Sequence, residues 1–102
     1  MSITQGTVTT AGADVYTSSG ATAITAAFIM NNHSGSVVIE IHVVKNGASA
    51  ANTNKIIKNL TIAAADSYVL DTEKLLLDDG DSLHISADVD SVVYTTVSHI
   101  GV

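Results

Sequence analysis

The sequence predicts an all-β protein, a single jelly-roll-like β-sandwich of about eight antiparallel strands over residues 1–102. Three observations carry this. β-Branched residues alternate with polar ones along several short stretches, the period-two signature of strands. Clusters of Asn, Asp, Gly and Ser punctuate the chain at roughly eight- to twelve-residue spacing, as in sandwiches and barrels. The length of 102 residues fits one domain with a real core and leaves little room for a second.

The elements follow in chain order. Residues 1–20 space Ile3, Val8, Val15 and Tyr16 with Thr, Gly and Ala, which reads as two weaker edge strands or an arm; residues 2–10 would be the part laid on a neighbouring subunit. In 22–30, Ile24, Ala26, Phe28 and Met30 alternate with Thr25, Ala27 and Ile29. In 36–45, Val37, Ile39, Ile41 and Val43 take one face, and Val38, Glu40, His42 and Val44 the other. Between them Asn31-Asn32-His33-Ser34-Gly35 is a run of turn formers, so the two stretches are expected to pair as a hairpin. Asn46-Gly47 opens a small, polar, aperiodic stretch to Asn54, expected as a mobile exposed loop.

In 56–62, Ile56, Leu60 and Ile62 share a parity opposed by Lys55, Asn59 and Thr61. Residues 67–70 and 74–77 are shorter extended pieces, and a helical turn over 72–77 is too short to stand alone. Asp78-Asp79-Gly80-Asp81 turns the chain into 82–87, where Leu83, Ile85 and Ala87 point in and His84 and Ser86 out. Asp88-Val89-Asp90-Ser91 turns it again, and 92–101 is the last strand. Without proline, no edge strand is blunted by that residue.

Composition narrows the function classes. Hydrophobic residues make up 46% of the chain, too many for disorder, whereas charged ones make up only 14%. Thr, Ser and Asn fill the polar share, which suits surfaces covered by neighbours. One Phe, three Tyr and no Trp leave an aliphatic core and few aromatic anchors for a ligand. Net charge is −6 with no arginine, and Lys45, Lys55, Lys58 and Lys74 form no cluster, which argues against nucleic acid and against an anionic membrane surface. The absence of cysteine rules out a disulfide framework and fits assembly in a reducing cytoplasm. The N-terminus reads as no signal peptide, and the longest apolar run, 26–30, is far short of the ~20 residues that span a bilayer.

No catalytic, cofactor or metal site is expected. His33, His42, His84 and His99 have no metal-ligand spacing; His42, His84 and His99 are placed on outward strand faces and His33 in a turn. A subunit contact containing such histidines would be pH-sensitive. Asp78, Asp79 and Asp81, with Asp88 and Asp90 nearby, invite a calcium reading but lack the closing glutamate of an EF-hand loop, and a hairpin turn wants the same residues. The serines sit in no G-x-S-x-G elbow, Glu40 and Glu73 are the only glutamates, and no glycine-rich loop could cradle a phosphate. The sequons Asn32-His33-Ser34 and Asn59-Leu60-Thr61 are chance matches in a chain rich in Asn, Ser and Thr.

From about Ala21 onward the order of segments is AFIMNNHSGS, then VVIEIHVVKNG, a polar loop, IIKNLTIAAADSYVLDTEKLLLDDGDSLHISAD and finally VVYTTVSHIGV. This order resembles the small β-sandwich virion proteins of tailed bacteriophages. There, a strand, an "a-x-D-s" bend, a "K-L-x-L-x-x-G-D-S" turn and a closing "V-x-V-S" strand recur. Here Leu75, Leu77, Gly80, Asp81 and Ser82 stand in the turn and Val97 and Ser98 in the closing strand. His99-Ile100-Gly101-Val102 stands where such chains often place an aromatic and an acidic residue. The resemblance implies a virion component assembled in the host cytoplasm. Its first expectation is a capsid decoration (cement) protein, a homotrimer over junctions of the major capsid protein. Alternatives are a tail, neck or baseplate subunit, or a virion-borne receptor- or carbohydrate-binding module.

Overall fold

The computed structural model describes residues 2–70 and 75–102. Their strands are β1 (Ser2–Val8), β2 (Ala13–Thr17), β3 (Thr22–Asn31), β4 (Val37–Val44), β5 (Lys55–Ile62), β6 (Ser67–Leu70), β7 (Leu75–Leu77), β8 (Ser82–Ala87) and β9 (Val93–Gly101), with one 3₁₀ turn at Asn52–Asn54. They form two antiparallel sheets. One runs β1-β9-β3-β6, with β7 also on β3; the other runs β2-β8-β4-β5. Taken together, β6 and β7 fill one strand position beside β3. First then pairs with last, second with next to last, and so inward to β4 with β5, the jelly-roll order. The sandwich is as expected.

The core lies between the sheets. Ile24, Ala27, Ile29, Val93 and Val97 from the five-stranded sheet meet Ile39, Ile41, Leu83 and Ile85 from the four-stranded one. Because strand side chains alternate, each sheet has one dry face and one outer face. In β8 the expected parity holds, with Leu83, Ile85 and Ala87 buried and His84 and Ser86 partly exposed. The first twenty residues supply an edge strand to each sheet: β1 pairs with β9 from Ser2 to Val8, and β2 pairs with β8.

Three expectations are corrected. Stretches 22–30 and 36–45 do not form a hairpin, since β3 and β4 lie in different sheets. Each carries a strongly apolar face, and the two faces cover each other across the core. The turn between them is a sheet-crossing corner built on Asn31, which is fully buried. Its Nδ2 donates toward the carbonyls of Gly35 and Ile62 (both 3.0 Å) and Ala63 (3.1 Å), and its Oδ1 accepts from the His33 N–H (2.8 Å).

The second correction is the parity of β3. Its pairing with β9 slips between Ile24 and Ala26, where one extra residue inserts. A bulge of this kind reverses which side chains face inward. Ile24 is therefore buried, while Phe28 and Met30, of the same parity, are exposed and Ala27 and Ile29 fill the core. The third is β5, where Ile39 pairs with Leu60 and Ile41 with Ile57, leaving one residue more on β5 than on β4. Asn59 takes the slack at φ +54°, so Ile57 packs on the core and Ile56 is exposed.

The loop after β4 is exposed through residue 53, as expected. Leu75–Leu77 is a strand, and residues 72–74 of the suggested helical turn lie outside the described part.

Candidate interaction surface

The residues singled out for chemistry separate in space. His33 sits in the crossing corner. His84 and His42 face outward from the four-stranded sheet as neighbours on β8 and β4, their rings edge to face with centroids 5.8 Å apart. His42 is nonetheless covered, at 5% exposure, and burial holds its pKa below the usual histidine value, helped by His84 and Lys55 and opposed by Glu40. His99 does not face outward: its ring points between the sheets, stacks on Tyr16 with centroids 4.2 Å apart and lies 2.9 Å from the Thr4 hydroxyl. It shares the inward parity of Val93 and Val97 along β9.

Asp14, Ser82 and His84 come together on the outside of the four-stranded sheet, beside a cleft of about 410 Å³ under the loop after β4. Asp14 Oδ1 accepts from His84 Nδ1 (2.8 Å) and from the Ser82 hydroxyl (3.4 Å). A nucleophilic triad needs the serine on the far nitrogen of the histidine. Here His84 Nε2 is packed on Gly12, where an added Cβ would lie 2.2 Å from it, and the serine is wired to the carboxylate.

The acidic turns staple loops. Asp79 accepts from the Gly20 N–H (2.8 Å), and Asp81 from the N–H groups of Asn46 (2.9 Å) and Asp78 (3.0 Å). These two hydrogen bonds lower the Asp81 pKa. Asp88 accepts from Val38 N–H (2.9 Å) and Asp90 from Thr10 N–H (3.0 Å). No group of three or more potential metal ligands gathers among the described residues.

What the fold does concentrate is apolar surface. The outer face of the five-stranded sheet is read in cross-strand rows. One row holds Ser67, Met30, Tyr94 and Thr7, and the next Val69, Phe28, Thr96 and Gln5. Beyond them lie Ala26, Ser98 and Ile3, then Leu76, Ala23 and Ile100. No Asp, Glu, Lys, Arg or His occurs in these rows. Leu76 is 74% exposed, Ile3 64% and Phe28 47%, and Met30, Val69, Tyr94 and Ile100 are also exposed. The charged side chains of the described residues lie on the four-stranded sheet and in loops.

Sequence reasoning missed this face because it assigned Phe28 and Met30 to the same side as Ile24. The signal that could have found it was the charge gap: the segments now seen as β1, β3, β6, β7 and β9 contain no acid and no lysine.

No protein family matches the chain, and no curated protein or solved structure matches it either.

Proposed function

We propose that this chain is a structural subunit of a tailed-phage virion, acting without catalysis as a capsid decoration protein. The observation that carries the reading is the outer face of the five-stranded sheet, which is apolar and, among the described residues, uncharged. Single exposed apolar side chains are ordinary, but many gathered on one sheet face among uncharged polar ones are the mark of a surface that gets covered. Interface cores are depleted in charge and enriched in aromatic residues and Met, as Phe28, Tyr94 and Met30 provide here. The class of assembly comes from the sequence resemblance to small virion sandwiches.

A decoration protein stabilises a shell by adding buried contact at subunit junctions, and it needs no pocket or cofactor. A rigid sandwich suits that role, and so do loops tied down by aspartate staples. The partners under this reading are other copies of the chain and the major capsid protein.

The test is addition of the protein back to heads stripped of it. Stripped heads should lose integrity at a lower temperature than complete heads, and add-back should restore the difference. Equal resistance with and without the protein would sink the decoration role. Immunogold label confined to the tail would move the subunit to the tail, neck or baseplate.

A further inference from the structure

We propose that the uncharged face of the five-stranded sheet is a contact between two copies of this chain, packed sheet on sheet about a two-fold axis. This rests on the reading of the chain as a subunit that works by being packed against, and it names the first partner of that face.

Charge argues for a second copy. Each chain carries a net −6, so two copies repel wherever acidic groups are brought together. The outside of the four-stranded sheet presents Asp14, with Glu40 paired to Lys55, and the loops present the turn aspartates. Among the described residues, the outer face of the five-stranded sheet is the broad surface that carries no charge, so identical chains can meet there without opposing like charges.

Size and shape agree. Nine residues of β9 at about 3.3 Å each give a length of about 30 Å. Four strand positions at about 4.8 Å give a width of about 19 Å. The product, about 600 Å² per copy, exceeds the roughly 500 Å² per partner at which a specific interface begins. Sheet faces stack about 10 Å apart with their strands within about 30° of each other. Two copies of one such face satisfy that geometry by a two-fold rotation, the isologous contact of most homodimers. Phe28, Met30 and Tyr94 then lie in the contact, with Gln5, Thr7 and Thr96 beside them to exchange hydrogen bonds.

Native mass of the purified free chain, measured by sedimentation equilibrium over a dilution series, tests the pairing. The expected wild-type species has twice the 10.5 kDa of the chain. Phe28→Asp should raise the dissociation constant ~30-fold or more, the scale of an interface hot spot. Phe28→Thr, which keeps strand propensity, should raise it about tenfold and guards against a folding defect in the first variant. Thr61→Asp, exposed on β5 in the other sheet, should leave it unchanged. Circular dichroism checks that each variant is folded. A wild-type monomer up to about 1 mM overturns the proposal. So does a trimer, or a pair that both Phe28 variants leave intact. A pair that fails to bind stripped heads would defeat the decoration reading and leave this contact standing, and a monomer that binds them would do the reverse.

Discussion

His84 Nδ1 donates to Asp14 Oδ1 across 2.8 Å, tying β2 to β8 on the outside of the four-stranded sheet. The same row continues inward, because His84 pairs with His42 and His42 with Lys55. One line of polar side chains thus crosses all four strands, starting with a carboxylate and ending with an ammonium that also meets Glu40 at 3.3 Å. Within the line His42 is the misfit. It is the most buried member, and its Nδ1 has no hydrogen-bond partner among the described residues.

That misfit sets a pH dependence. The His42 pKa is lowered in the folded chain by burial first, then by His84 and Lys55. The unfolded chain takes up the proton near pH 6.5, whereas the folded chain does so only at lower pH. Between those points the unfolded state binds more protons, so stability falls as pH drops below about 6.5 and levels off below the folded pKa. Thermal melts from pH 8 to 5 should show that decline. His42→Val should flatten it, and by removing an unpaired buried polar atom should raise stability at pH 7.5 by about 1 kcal/mol. A slope unchanged in the variant would assign the effect to another group.

Asp81 acts on the same acid side, at lower pH. Its carboxylate accepts backbone N–H groups from Asn46 and Asp78, which hold its pKa below the usual value for an aspartate. A depressed pKa contributes stability above the unfolded value, near 3.9, that is lost as pH falls through the folded one. Asp81→Asn should therefore melt lower than wild type at neutral pH. The gap should close as pH falls through the folded-state pKa of Asp81, where the wild-type carboxyl is protonated too. A gap that persists there would point to lost geometry instead of lost charge.

Much of the fold was legible in the alternation of the chain, and the failures share one cause. Leu83, Ile85 and Ala87 were placed correctly because β8 pairs with β4 without a slip. Ile56, Phe28 and Met30 were misplaced because parity survives only as far as the next bulge, and bulges depend on the partner strand. The Asn59 conformation and the insertion beside Thr25 have no clear mark in composition. Asn31 misled in another way, since a turn-forming amide and a buried amide look identical in sequence. The absence of charge from the five-stranded sheet was visible all along, but it became a surface only once β1, β3, β6, β7 and β9 were known to be neighbours.

Asn31 makes its own prediction. Its fully buried side chain supplies donors to the carbonyls of Gly35, Ile62 and Ala63 and an acceptor to the His33 N–H, and the bond to Ile62 is itself buried. Asn31→Ala leaves those backbone groups without that partner, and each unpaired buried polar group costs about 1–3 kcal/mol. Relaxation and water entry at the corner will recover part, so an overall loss of about 2–4 kcal/mol is expected. At this chain length that lowers Tm by roughly 10–25 °C. A loss below 1 kcal/mol in urea melts would mean that the corner is held by its backbone alone.

Ala65 offers a gain. It sits at φ +58° in the turn between β5 and β6 and is exposed, with its side chain outside the core. The left-handed region costs a residue with a Cβ roughly 1–2 kcal/mol, and glycine adopts it without that cost. Glycine also has more freedom to lose from the unfolded chain, which offsets about half of the gain. Ala65→Gly should therefore stabilise the protein by about 0.5–1 kcal/mol, although most alanine-to-glycine changes destabilise. Ala63→Gly, two residues earlier and not at positive φ, is the matched control and should lower stability. If both variants melt below wild type, the turn does not hold Ala65 in the left-handed region in solution.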